Sequence, residues 1–265
     1  MVDFPVKENY NIDDLRSIMA ILRSEDGCPW DREQDHKSIR GNMIEEAYEV
    51  ADAIDRESSV DLCEELGDVL LQVVFHCEIE KGENTFDFED VTDGVCRKLI
   101  ERHPHVFGEV NADTSEKVLE NWEKIKNKSK QNDTATKTLE SVPMAFPALF
   151  RAQKVQKRAA KAGFDWDEAE GAVAKLHEEL KELEDARKSG NGEDIFEEFG
   201  DLLFSAVNVA RFLKIDAEDA LQFATNKFIK RFSKVEDLAK KRGINMKEAP
   251  LEELDALWDE IKHQP

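Results

Sequence analysis

Five carboxylates recur in this chain at one fixed offset. Glu45, Glu46 and Glu49 are followed by Glu65 and Asp68, and Glu178, Glu179 and Glu182 by Glu198 and Asp201. Each member of the second set lies 133 positions after its counterpart, as 178 − 45 and 201 − 68 both give. Five acids kept in register across two halves mark an internal duplication. Acids at i, i+1 and i+4 crowd one side of a helix and repel each other. A hard divalent cation relieves such a cluster best.

The rest of the sequence says what carries these acids. Glycine and proline are scarce and apolar residues recur at helical spacing, so the chain is expected to be all-α. Helices are predicted over 12–24, 39–56, 60–81, 87–102 and 114–127 in the first half. The second half predicts them over 146–162, 168–188, 193–213, 216–242 and 250–262. Between the halves, NKSKQNDTATKTLES is polar and reads as a linker. The expected organisation is a first repeat at 1–126, a linker at 127–142 and a second repeat at 143–265.

The acids sit on paired helices. Glu178, Glu179 and Glu182 lie on a helix predicted to stop at Ser189-Gly190-Asn191-Gly192, with glycine available for a left-handed cap. The next helix carries Glu198 and Asp201 on one face. A short connection makes the two helices antiparallel neighbours. The first half repeats the plan around Arg56-Glu57-Ser58-Ser59. VLLQVVF (69–75) and LLFSAV (202–207) make the second helix of each pair apolar nearly all round, so it is expected to be buried.

Composition narrows the chemistry. The net charge of −22 argues against general nucleic-acid binding, though placed cations still permit a phosphorylated substrate. No apolar run is long enough to span a membrane, and the acidic MVDFPVKENYNIDD lacks the apolar core of a secretory signal, so a cytoplasmic setting is expected. Cys28, Cys63, Cys77 and Cys96 form no CxxC pair and read as reduced, mostly buried thiols. Neither a GxxxxGK[ST] loop, a GxGxxG turn nor a nucleophile elbow occurs. A di-iron site would place His three residues after a site Glu, and none is there. Oxygen-only ligands favour Mg²⁺ or Mn²⁺ over iron.

Cations accompany the acids. Lys227 and Arg231 are spaced i, i+4, as are Lys98 and Arg102, and both pairs suit phosphate oxygens. Trp258 and Lys262 share that spacing with Trp122 and Lys126. GCPWD (27–31) corresponds to GFDWD (163–167), where Trp30 and Trp166 read as buried anchors of a turn. A zinc site from Cys28, His36, His103 and His105 matches no usual spacing.

Together, GCPWD, EEAYEV, ELGD, KLIERHPHVF, RAQKVQKRAAKAGFDWD, EELKE, EFGDLLF and KFIKRF resemble the MazG family of bacterial nucleoside triphosphate pyrophosphohydrolases, over nearly the whole chain. The resemblance implies tandem all-α bundles, homodimers, Mg²⁺ dependence, and cleavage of ribo- and deoxyribonucleotides to the monophosphate and pyrophosphate. It also implies a role in nucleotide housecleaning or nutritional stress. It assigns Glu178, Glu179, Glu182, Glu198 and Asp201 to the metal site, and Lys175, Lys227, Arg231, Trp258 and Lys262 to phosphate or nucleotide. The first repeat keeps its acids with Lys98, Arg102, Trp122 and Lys126, but Asn42 stands where the second has Lys175 (175 − 133). An amide lacks the charge for a polyphosphate, so the second repeat is expected to be the main catalytic site. Two other readings stay open: an enzyme selective for one dNTP, and a non-catalytic nucleotide-binding bundle.

Overall fold

The computed structural model describes residues 4–118, 121–122, 125 and 134–262. Every regular element among them is a helix. In order they are α1 (Ile12–Leu22), α2 (Pro29–Glu33), α3 (Arg40–Asp55), α4 (Ser59–Glu83), α5 (Phe88–Arg102), α6 (Pro104–Phe107), α7 (Ala135–Glu140), α8 (Ala148–Lys161), α9 (Ala169–Ser189), α10 (Gly192–Phe212), α11 (Ala217–Arg242) and α12 (Leu251–Lys262). Residues 115–118 are also helical. The chain forms two compact units, Met1–Ser129 and Lys130–Pro265.

In the first unit α4 is the hub, packed by α1, α3 and α5. Asn11 starts α1 with a capping box closed by Asp14. Met19, Ile39, Val74 and Phe75 form the buried core, joined by Leu15, Leu71, Ile79 and Phe88. In the second unit α10 is the hub, packed by α8, α9 and α11. The α11–α12 pair closes a separate cluster of Val235, Ala239, Leu257 and Ile261. Gln153 Nε2 donates to the Ile215 carbonyl at 2.7 Å, tying α8 to the α10–α11 turn.

Three expectations need correction. The stretch read as a linker carries α7, capped by the Thr134 side chain and packed on α8. Arg158 holds it by donating to Ser141 Oγ at 2.7 Å and to the Thr138 carbonyl, while Val142 is fully buried. One cap, one arginine and one buried valine suffice, a signal too small for polarity alone to reveal. The thiols are free, but only Cys77 is buried, and Cys63 and Cys96 are exposed. Finally, the second helix of each pair is not buried all round. Phe196 is 83% and Phe199 53% exposed on α10, and Leu66 and Leu70 are exposed on α4. Each hub is packed by three helices, which leave one apolar flank uncovered. Among the described residues no helix is long and apolar enough to cross a membrane.

Candidate active site

Each carboxylate pair of helices is set by its turn. Gly190 ends α9 in the left-handed region at φ 75°, as the glycine predicts, and Asn191 caps α10 by accepting from the Glu193 N–H at 3.1 Å. In the first unit Glu57 takes the left-handed position itself, at φ 54°. Ser58 then caps α4, and Arg56 bridges Asp52 and Asp61 at 2.7 and 2.6 Å. Both turns bring their helices together as antiparallel neighbours, so the acids of one face those of the next.

Oxygens of Glu179, Glu182 and Glu198 come within 4.8 Å of one another, and so do those of Glu46, Glu49 and Glu65. Asp201 and Asp68 lie one turn further along α10 and α4. Their charges are felt at Glu198 and Glu46. Glu178 and Glu45 are exposed and stand outside these triplets.

The clusters are electrostatically strained. Desolvation, and then the charges of Glu182, Glu179 and Asp201, push the Glu198 carboxyl above its ordinary range. Glu182 is raised by desolvation and the Glu179 charge, partly offset by Lys175. In the first repeat, desolvation, a hydrogen bond with Glu49 and the charges of Asp68, Glu49 and Glu65 raise Glu46. Glu65 is raised by desolvation and then by the Glu49 charge.

One side chain separates the two clusters. Glu179 is only 4% exposed, and Lys175 lies on it at 2.7 Å and on Glu178 at 2.9 Å. These two hydrogen bonds hold the Lys175 ammonium well above its ordinary pKa. Asn42 offers no such charge in the first repeat.

The other expected contacts are spread wider. Lys227 is exposed and Arg231 half-buried on α11, while Lys262 is exposed on α12. Among the described residues no ion pair joins these three to the carboxylates. Trp258 packs on Phe228, ring centroids 5.1 Å apart, and against the α11–α12 core. In the first unit Lys98 is exposed, and the Arg102 guanidinium lies 5.1 Å from the Trp122 ring centre. Lys126 lies outside the described residues.

One expectation about the flanking motifs fails. Trp30 and Trp166 are 56% and 44% exposed rather than buried. Trp166 lies against Gly171, where a Cβ would stand 2.4 Å from Trp166 Cδ1, so the glycine lets the tryptophan rest on α9 while it stays partly exposed. The zinc combination, which matched no usual spacing, does not form either: His36 pairs with His76 (Nδ1···Nδ1 2.7 Å) and Glu80 (2.6 Å). His76 and Glu80 are distant from His36 in sequence and carry no motif, so this cluster had no sequence signal.

Comparison with known proteins agrees with the geometry. The family model for the MazG nucleotide pyrophosphohydrolase domain matches twice, at residues 34–107 and 168–236. The chain is 46% identical to the nucleoside triphosphate pyrophosphohydrolase/pyrophosphatase MazG of Thermotoga maritima, over 94% of this chain and 95% of that protein. It is 44% identical to the nucleoside triphosphate pyrophosphohydrolase of Escherichia coli K12, over 96% of this chain and 97% of that protein. It is also 44% identical to the uncharacterized protein YabN of Bacillus subtilis, over 97% of this chain and 54% of that longer protein. With both carboxylate triplets falling inside the matched segments, the chain belongs to the MazG family of nucleotide pyrophosphohydrolases.

Proposed function

We propose that Mg²⁺ held by Glu179, Glu182, Glu198 and Asp201 supports the hydrolysis of nucleoside triphosphates by this MazG-family enzyme, yielding the monophosphate and pyrophosphate. The observation that carries this reading is the meeting of three carboxylates from facing helices within 4.8 Å. The donors are all oxygen, and desolvation, followed by the charges of neighbouring carboxylates, raises the proton affinity of Glu182 and Glu198. Such a set fits a hard cation, and Mn²⁺ would satisfy the same donors. The bound ion would supply Lewis acidity toward phosphate oxygens and activate water for attack.

The chain's own residues do the rest. Lys175 orients Glu179 and Glu178 through its contacts with both. Lys227 and Arg231 on α11, with Lys262 and Trp258 on α12, are the proposed contacts to phosphate and nucleoside. Glu45, Glu46, Glu49, Glu65 and Asp68, with Lys98, Arg102 and Trp122, make a second candidate site, weak, specialised or mainly structural, that lacks a counterpart to Lys175. This reading keeps two repeats, with α7 of the stretch between 126 and 143 packed on α8 of the second. It places the enzyme in the cytoplasm, clearing nucleotide pools.

Homodimerisation is part of the same proposal. Phe196, Leu203, Phe223 and Ile229 leave large apolar surface on α10 and α11. A second copy would cover it.

Phosphorus NMR of ATP turnover with and without Mg²⁺ tests the reaction. AMP and pyrophosphate appearing only with the metal are expected. ADP and orthophosphate, or no turnover by folded, metal-loaded protein, would contradict the proposal.

A further inference from the structure

Two imidazoles and a carboxylate meet in the first unit, apart from its acid triplet. His76 and Glu80 are spaced i, i+4 on α4 and share one face of that helix. His76 lies eleven residues beyond Glu65, about 16 Å along the axis. His36 reaches both from the segment between α2 and α3. Its Nδ1 stands 2.7 Å from His76 Nδ1, and its Nε2 stands 2.6 Å from Glu80 Oε1. The two rings are nearly parallel, with 13° between their planes and 5.0 Å between their centres. Thr85 Oγ1 donates to the other Glu80 oxygen.

The carboxylate assigns the tautomers. Hydrogen bonds from Thr85 and then His36 lower the proton affinity of Glu80, which is therefore an acceptor only. His36 Nε2 carries the hydrogen between them, and in the neutral ring Nδ1 presents a lone pair. His76 Nδ1 faces that lone pair and donates to it. Burial, and then the neighbouring His36, lower the proton affinity of His76, so its ring is neutral near neutral pH.

Histidine metal ligands are built in this way. A ring that donates one N–H to a carboxylate holds its other nitrogen as an oriented, more basic ligand. Metal–nitrogen bonds of about 2.0–2.1 Å at a tetrahedral angle set two ring nitrogens about 3.3 Å apart. The facing nitrogens stand at 2.7 Å, so an ion enters in place of one hydrogen with a ring shift of about half an ångström. His76 then carries its hydrogen on Nε2 and binds through Nδ1. The His36 side chain is 40% exposed, which gives the ion a path in and water as its remaining ligands. Imidazole nitrogen suits zinc and its first-row neighbours, whereas Mg²⁺ takes oxygen.

The second unit has no counterpart. The 133-residue offset sets Ala169, Val209 and Leu213 at the positions of His36, His76 and Glu80. In the first unit the ion would act as a staple. Ile39, three residues after His36, is 1% exposed and packs in the core with Val74 and Phe75. A bridge from His36 to His76 ties this segment to α4 just ahead of α3, the helix that carries Glu46 and Glu49.

We propose that His36 and His76 bind one zinc-class divalent ion per chain, with Glu80 orienting His36 from behind, at a site separate from the carboxylate triplets. The test is calorimetric titration of Zn²⁺ into the full chain in excess Mg²⁺, which competes for oxygen ligands. Wild type should take up one more Zn²⁺ per chain than His36→Gln. Glu80→Gln keeps an acceptor for His36 but loses the charge, and should bind that ion about tenfold more weakly. Nitrogen-15 NMR of the imidazoles in wild type reads the site without any variant. Zn²⁺ should move the Nδ1 resonances of both His36 and His76 to the metal-bound range, and Mg²⁺ should move neither. Equal uptake by wild type and folded His36→Gln would overturn the site. So would Nδ1 resonances of His36 and His76 that Zn²⁺ leaves in place, making the pair a hydrogen bond alone. Wild-type affinity in Glu80→Gln would overturn the role given to the carboxylate.

Discussion

The two repeats keep the same acids and differ in what surrounds them. Around Glu179 the second repeat places an ammonium. Around Glu46 the first repeat has the Asn42 amide. The first also builds a His36–His76–Glu80 cluster on α4, where the second has Val209 and Leu213 at the 133-residue offset from His76 and Glu80. The comparison teaches that one ligand spacing can sit in two different surroundings. A triplet of like charges is a liability until a cation attends it, and among the described residues an ion pair from a lysine reaches only the second triplet.

The largest effect should come from exchanging the residues at positions 42 and 175. Lys175→Asn removes a charge-assisted hydrogen bond of about 1.5–3 kcal/mol, and should lower kcat/KM by roughly one to two orders of magnitude. Asn42→Lys should strengthen Mg²⁺-nucleotide binding at the first triplet. Unchanged kinetics in Lys175→Asn would remove the lysine from the account and with it the main asymmetry.

A smaller effect should follow from the histidines. Burial, and then the neighbouring His36, depress the His76 pKa, while Thr85 and His36 depress that of Glu80. A depressed histidine binds fewer protons folded than unfolded. Its stabilisation is therefore full above the ordinary imidazole range and is lost as pH falls through it. Glu80 acts in the same direction further into acid, its contribution lost as pH falls through the carboxylate range. Thermal melts should show His76→Val losing less Tm on mild acidification than wild type, by a few degrees. Identical pH profiles would show the cluster to be inert.

The smallest effect concerns the turns. Asn191→Ala should destabilise the second unit by about 1 kcal/mol through loss of the α10 cap, read from the denaturant midpoint. Ser58→Ala, whose cap bond spans 3.4 Å against 3.1 Å for Asn191, should lose less.

Much of this arrangement was legible in the sequence because it is local. The helix pairs, the left-handed Gly190 and the clustering of Glu179 with Glu182 and Glu198 all follow from spacing within a helix or across one tight turn. The pairing of Lys175 with Glu178 and Glu179 follows from i+3 and i+4 neighbours. What escaped depends on long-range packing. Apolar patterning on α10 marked a face to be covered, but not that the three helices packed on it leave Phe196 and Phe199 open. Trp166 looked like a core anchor, since nothing local says that it rests on Gly171 and stays partly exposed. The His36–His76 contact spans forty residues. Glu57, Asn84 and Lys214 adopt positive φ where a glycine would have announced the turn.

The central claim is that the second repeat's carboxylates carry the reaction. Product formation from ATP and dNTPs with Mg²⁺, compared among wild type, Glu46→Ala and Glu179→Ala, tests it most directly. The account predicts monophosphate and pyrophosphate from wild type, output within about threefold of it from Glu46→Ala, and a loss of roughly a thousandfold in Glu179→Ala. Full turnover in a folded Glu179→Ala protein, or its loss only in Glu46→Ala, would contradict the account.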